Sequence, residues 1–291
     1  MIIAVTGACG SIGKELILFL EELGQTVLKI SSSQPSDEKL RFTYTQLQNK
    51  QISVNVDLFI HLASLNGNVN SKNFQDEVAL TETVISSLPS LKCSQLIFFS
   101  SAKVYGDNSF KKNVYSESSP LDPECFYGKA KKKCEELILE EKSINSLIFR
   151  LPPLINYSSS NLGKLLTLSS KNILLPTFDA GYFNQRSFIS MANIKLIIKH
   201  VIQNIQLFEN QKIYNLSDRG VISFNELLSI KKARSFFILP TPLYKVLIKI
   251  PMTKSFLLRL FGNFVLENSK LTTEMNVTLV NTKDALSAIN Q

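Results

Sequence analysis

Three glycines with two residues between each, Gly7, Gly10 and Gly13, follow the apolar run Ile2 to Val5 and open a helical pattern. That order leaves few folds available. Lacking side chains, Gly7 and Gly10 let the backbone turn tightly and approach a diphosphate at a helix N-terminus, while Gly13 lets helix and strand pack closely. The loop residues Gly7, Cys9, Gly10, Ser11, Ile12 and Gly13 are therefore the expected phosphate-facing part of a dinucleotide site.

Strand-like runs alternate with helical patterns after this loop. A helix is expected over Ile12 to Leu23, a strand over Thr26 to Ile30, another over Leu58 to Leu62, and a helix around Val78 to Leu88. A strand at Leu96 to Ser100, a helix from about Tyr127 to Glu141 and a strand at Ser146 to Arg150 follow. Strands joined by helical crossovers make an α/β, Rossmann-type doubly wound parallel sheet. Pro152-Pro153 ends the alternation, and 156 to 182 reads as irregular loops with one short helix. A helix near 192 to 206 and a strand at Ile213 to Leu216 return to the sheet, and the last 50 residues look mainly helical. The expected organisation is a dinucleotide-binding domain over 1–155, with a returning helix and strand near 190–218, and an interleaved, mainly helical substrate lobe over 156–291.

Composition narrows the function. The 291 residues are 44% hydrophobic and 19% charged, which excludes disorder and low complexity. No apolar run reaches the roughly 18 residues that span a bilayer. The start lacks the positive flank of a signal peptide, so the cytoplasm is the expected compartment. Cysteines 9, 93, 125 and 134 are too dispersed for a zinc cluster or disulfide scaffold and are expected as free thiols. With two histidines, His61 and His200, a metal site or a Ser/His/Asp triad has little material, and no metal is expected. The net charge of +8 comes without a basic stripe, which favours a small phosphorylated substrate over nucleic acid.

An NAD site wants a carboxylate at the end of the second strand for the adenosine ribose. Here the strand runs into Ser31, Ser32 and Ser33, whose hydroxyls with Lys29 or Arg41 suit a 2′-phosphate. The expected cofactor is NAD(P), with NADP favoured. Tyr127 and Lys131 stand four apart on a helix, hence on one face. A phenol titrates near 10 unperturbed, and a cation one turn away favours the phenolate. Tyr127 can then exchange a proton with a sugar hydroxyl or ketone while Lys131 holds the nicotinamide ribose. Ser101, at the carboxyl end of the strand from Leu96, can donate to the reacting oxygen.

With these residues in order, the chain resembles the extended short-chain dehydrogenase/reductases of the NAD-dependent epimerase/dehydratase family. The resemblance is carried by Thr6 to Gly13, Asp57-Leu-Phe-Ile-His-Leu-Ala63, Ser100-Ser-Ala-Lys-Val-Tyr-Gly106, Tyr127-Gly-Lys-Ala-Lys131, Arg150 and Arg186-Ser-Phe-Ile-Ser190. It implies Ser101, Tyr127 and Lys131 as the catalytic triad. It puts Asp57 and Ala63 near the adenine and diphosphate, with Leu62, Ser64, Lys131 and Pro152 also on the cofactor. Ser101, Lys103, Tyr127, Asn184 and Arg186 are the implied substrate contacts, Arg186 meeting the nucleotide diphosphate. Later segments look most like bacterial O-antigen and capsule enzymes, including N-acetylhexosamine 4-epimerases and 4-ketoreductases.

Three positions depart from the pattern. Ala102-Lys103 stands where sugar 4,6-dehydratases carry Asp-Glu, which argues against dehydration. Glu77 replaces the usual Asn, and Asn156 replaces a common Gly. His61 is expected as a packed strand residue near the cofactor, Tyr105 and Phe126 as core or pocket wall, and Lys129 to Lys133 as a solvated helix face apart from Lys131. The basic, apolar stretch Leu243 to Phe261 is expected to pack on the substrate lobe rather than touch a membrane.

The expected activity is oxidoreduction at C4 of a nucleoside-diphosphate sugar, as a UDP-N-acetylhexosamine 4-epimerase in surface polysaccharide biosynthesis. An NADPH-dependent 4-keto-6-deoxy sugar reductase and a non-catalytic dinucleotide-binding protein are the alternatives. The expected partner is the nucleotide sugar, with a homodimer left open.

Overall fold

The computed structural model describes residues 1–32, 40–65, 68–106, 114–155, 175–178, 185–205, 209–223, 226–227, 236–239, 247, 249–250 and 262–289. In chain order its first elements are β1 (Ile2–Thr6), α1 (Ser11–Glu22), β2 (Thr26–Ser31), β3 (Arg41–Thr43), α2 (Tyr44–Gln48), β4 (Leu58–His61), α3 (Phe74–Ser87) and β5 (Gln95–Ser101). There follow β6 (Val114–Tyr115), α4 (Phe126–Glu140), β7 (Asn145–Leu151), β8 (Leu175–Phe178), β9 (Gln185–Arg186), α5 (Met191–Gln203) and β10 (Lys212–Asn215). The last are β11 (Ile222–Ser223), β12 (Phe236–Leu239), β13 (Val265–Leu266), α6 (Ser269–Glu274) and α7 (Thr282–Ile289). The chain divides into two compact units. The first is Met1–Gly106, Leu121–Arg150 and Ile197–Tyr214; the second is Asp107–Pro120, Leu151–Leu196 and Asn215–Gln291.

The first unit is built on a seven-stranded sheet in the order β10-β7-β5-β4-β1-β2-β3. The pairs β1–β2, β1–β4, β2–β3 and β4–β5 are parallel. Every residue of β4 is buried, as are five of the seven in β5, the signature of strands covered on both faces. The order reverses beside β1, between β2 and β4, so the crevice for a ligand opens at the carboxyl end of β1.

The sequence reading missed β3 and α2. Only three residues long, β3 is too short for alternation to show, but α2 carries a signature. Thr43 Oγ1 accepts from Gln46 N at 3.2 Å, and Gln46 Oε1 accepts from Thr43 N at 2.8 Å, a capping box written as Thr-x-x-Gln. The α3 helix begins at Phe74, four residues before the apolar periodicity does, with Asp76 and Glu77 in its first turn.

A buried polar chain fixes α4 to the sheet. Arg150 of β7 donates to Glu135 of α4 through Nε at 3.1 Å and through Nη2 at 2.7 Å, and to Tyr105 Oη at 2.9 Å. Ser100 of β5 donates to the same carboxylate. Arg150 and Glu135 are 3% and 2% exposed, so each charge depends on the other.

In the second unit the described residues include three strand pairs. Two are parallel, β6 with β13 and β8 with β12, and the third is antiparallel, β9 with β11. At its described residues, 175–178, the stretch 156–182 forms β8 rather than the expected irregular loops with one short helix. Strands of two to four residues are shorter than the windows in which a period can be read. A buried carboxylate organises this unit, with Asp218 Oδ1 accepting from Ser190 N, Ser190 Oγ and Asn193 Nδ2 at 2.6 to 2.9 Å.

Candidate active site

The turn after β1 requires its glycines. Gly7 has φ +71°, and a Cβ on Gly13 would overlap the carbonyl oxygen of Gly7. The α1 helix starts at Ser11 with Gly10 as its N-cap, no side-chain cap and no acidic residue in its first turn. Its first N–H groups are thus left to an external anion, and the residues present fit the diphosphate of a dinucleotide. Cys9, Gly10 and Ser11 are exposed there, and Ile12 is half-buried.

The neighbouring strand ends are locked by one hydrogen-bond chain. Thr6 Oγ1 accepts from the amides of Leu62 and Ala63 at 3.1 and 3.3 Å, leaving its proton for His61 Nδ1 at 2.7 Å. His61 Nε2–H then donates to Thr81 Oγ1 at 3.1 Å. Burial, then the charge of Lys131, hold the His61 pKa well below its ordinary value, so the ring is neutral. His61 is the packing residue the sequence suggested, and it also orients the Leu62-Ala63 backbone.

Three cofactor expectations are corrected. Asp57 precedes β4 and accepts from Ile2 N at 2.7 Å; since Ile3 pairs with Leu58 and Thr6 with His61, it lies at the end of the sheet opposite the glycine loop. It pins two strand starts and cannot face an adenine there. Lys29 is paired with Glu21 at 2.9 Å, and Ser31 is 3% exposed, so neither presents a free group to a 2′-phosphate. Ser32 is exposed, Ser33 lies outside the described residues, and Arg41 reaches the loop itself, its Nη2 donating to Cys9 Sγ at 3.1 Å.

The Tyr-Lys pair sits on the opening turns of α4. A Cβ on Gly128 would overlap the carbonyl oxygen of Lys103, so this glycine lets α4 press against the 3-10 turn Ala102–Tyr105 that follows β5. That approach brings the Ser101–Lys103 corner to the helix turn carrying Tyr127. Ser101 Oγ accepts from Lys103 N at 3.2 Å as the cap of the 3-10 turn. Its own proton remains to be donated. Tyr127 is half-buried, and Lys131 Nζ lies 5.9 Å from its ring centroid and 4.8 Å from that of Phe98. Lys131 is 2% exposed, whereas Lys129 and Lys133 of the same helix are exposed.

Glu77 was registered in the sequence only as a departure, and its contacts went unseen. From α3 its Oε1 stands 3.1 Å from Lys131 Nζ. The same carboxylate accepts from Ser64 Oγ at 2.7 Å and from Leu65 N at 2.6 Å. The signal was available: Glu77, Val78, Thr81 and Val84 form the buried stripe of α3, so a carboxylate there requires an inward partner.

Pro152 and Arg186 belong to the second unit and Asn184 lies outside the described residues. The cluster described above contains none of them. Burial pulls the Arg186 guanidinium down to about 10, and its Nε donates to the carbonyl oxygen of Gly262 at 3.2 Å. Asn156 and most of the 243–261 stretch also lie outside the described residues. The four cysteines are free thiols. Among the described residues no group of three or more His, Cys, Asp or Glu could hold a metal, and no helix is long and apolar enough to cross a membrane.

A doubly wound sheet with a glycine turn at its switch point and a Tyr-Lys pair beside a strand-end serine defines an extended short-chain dehydrogenase/reductase. Residues 3–217 match the model of the NAD dependent epimerase/dehydratase family, and the chain belongs to it. It is 28% identical over 182 residues to the N-acetyl-alpha-D-glucosaminyl-diphospho-ditrans,octacis-undecaprenol 4-epimerase of Escherichia coli O157:H7. That match covers 56% of this chain and 50% of the relative, so the chain spans about half the length of that curated relative. Among solved structures, UDP-N-acetylglucosamine 4-epimerase from Bacillus cereus superposes with a TM-score of 0.74 at 17% identity, covering 99% of this chain and 98% of that one. The Bordetella bronchiseptica enzyme WbmG, in complex with NAD and UDP, gives 0.73 at 15% identity, covering 99% and 92%.

Proposed function

We propose that the chain catalyses 4-epimerisation of an N-acetylhexosamine carried on a diphosphate, with a nicotinamide dinucleotide held by the glycine loop. The observation that supports this reading is the first turn of α4, where Gly128 lies against the Ser101–Lys103 corner and so brings Tyr127, with Lys131 one turn further on, to the strand-end Ser101. The bound dinucleotide supplies a hydride acceptor and donor for C4. Tyr127 takes the proton of the C4 hydroxyl during oxidation and returns it during reduction. Ser101 donates to the same oxygen, and the Lys131 ammonium offsets the negative charge developing on the phenol oxygen. Because the hydride goes out and comes back, the reaction consumes no cofactor overall.

The test is incubation of the purified protein with UDP-N-acetylglucosamine and UDP-N-acetylgalactosamine, with and without NADPH. Interconversion that needs no added reductant supports epimerisation. NADPH consumption coupled to reduction of a 4-keto-6-deoxy nucleotide sugar would instead establish the reductase reading, and turnover of neither would sink both. The Escherichia coli relative supports a second carrier, a polyprenyl diphosphate in place of UDP, so N-acetylglucosaminyl diphosphoundecaprenol belongs in the same assay.

For the cofactor we infer a site that accepts the adenosine 2′-phosphate, because Arg41 lies on the glycine loop at Cys9 and no carboxylate ends β2. Arg41→Ala is expected to weaken NADPH binding by about 10- to 100-fold, the scale of one charge-assisted hydrogen bond, and NADH binding by less than threefold. Fluorescence titration of both cofactors checks it; equal losses would remove Arg41 from the choice between them.

A further inference from the structure

Lys131 is enclosed almost completely. Phe98 of β5 covers its ammonium at 4.8 Å, and Tyr127 and Cys134 face it from its own helix, His61 from β4 and Glu77 from α3. A buried ammonium without a counter-charge tends to lose its proton. Of the groups facing it, His61 is held neutral and Cys134 is a buried thiol whose pKa burial raises. The carboxylate at 3.1 Å is therefore the group that keeps the lysine cationic whether or not Tyr127 carries a proton.

Glu77 has a second attachment. Its Oε1 accepts from Ser64 Oγ and its Oε2 from Leu65 N. Ser64 follows Ala63, whose amide is held by Thr6 beside the glycine turn. One side chain thus joins the segment after β4 to the lysine on α4. Tyr44 of α2 also faces the carboxylate, and Cys134 Sγ donates to the Glu77 carbonyl oxygen at 4.0 Å, so α3 is fixed against both helices.

We propose that Glu77 is a positioning residue for Lys131: it holds the ammonium charged beside Tyr127 and ties it to the cofactor-side segment Ser64-Leu65. The inference rests on the reading of Lys131 as the cation of the catalytic pair, and it gives Glu77 a role that an uncharged residue at this position would not perform. Its consequence is a reaction whose cation survives at alkaline pH, since Glu77 and Tyr127 together raise the Lys131 pKa against the effect of burial.

Glu77→Gln separates charge from shape, because the amide oxygen can still accept from Leu65 N. In the wild type the proton on Lys131 is favoured by folding, and that stabilisation is lost only as pH rises past the raised folded value. In the variant, burial is opposed only by Tyr127 and Cys134, and the folded value is drawn down. The loss is then largest at neutral pH and shrinks as pH climbs toward the ordinary lysine range. We expect the variant to unfold roughly 6 °C or more below wild type at pH 7, with the difference at least halved by pH 9.5. In turnover, the alkaline limb of its pH profile should move down by a unit or more. A stability difference equal at both pH values, or an alkaline limb that stays in place, would overturn the proposal. If Glu77→Gln alone does not fold, Glu77→Gln/Lys131→Met decides: a folded double variant supports charge balance, and an unfolded one counts against it. Absence of turnover on every sugar diphosphate would defeat the epimerase reading while leaving the stability comparison valid.

Discussion

Tyr127→Phe should lower turnover at least 100-fold, and up to about 10⁴-fold, while dinucleotide affinity changes by no more than a few-fold. The expected size is that of a lost proton-transfer group. The ring stays because it packs against the first unit's apolar core from the opening turn of α4, and Phe preserves that contact. Steady-state rates with a UDP-N-acetylhexosamine, alongside cofactor titration, measure both quantities. Near-wild-type turnover would take Tyr127 out of the chemistry, and a matching loss of cofactor binding would make it a structural residue instead.

The second large effect is on stability. Glu135→Ala leaves Arg150 charged and 3% exposed, with its bidentate partner gone and Ser100 without its acceptor. Removing one member of a buried ion pair costs roughly 3–5 kcal/mol, well above the 0–1 kcal/mol of an exposed pair such as Lys283–Glu226. Chemical denaturation should show that difference, and Glu135→Leu/Arg150→Met should recover most of it, because no uncompensated charge remains. A loss near 1 kcal/mol in the single variant would mean that water reaches the guanidinium.

What could be read from the chain is what repeats locally. The strands β1, β4, β5 and β7 carry continuous apolar runs and β2 one broken only by Lys29, and the glycine spacing and the Tyr-x-x-x-Lys step are short enough to carry their geometry with them. The partners of buried charges were harder, because pairing depends on which helix faces which. Glu77 and Lys131 are far apart in sequence, as are Thr6 and His61, and only the sheet order brings them together. Asp57 shows the opposite failure. Its place in a motif suggested a ligand, but the strand register puts it at the wrong end of the sheet. Ser31 was similarly given to the cofactor by its place at a strand end, and the pleat turns it inward.

The edge strand β10 bears on how the polypeptide is made. It pairs with β7, and its Tyr214, fully buried, stacks on Phe149 with ring centroids 6.1 Å apart. Yet β7 ends at Leu151 and β10 begins at Lys212, with the second unit's Leu151–Leu196 segment between them. A nascent chain leaving the ribosome therefore shows β7 as an unpaired apolar border until residue 215 has emerged, and such borders invite wrong partners. Arrest of translation before that point should yield aggregation-prone, protease-sensitive chains, whereas stalling just beyond it should release a protected sheet.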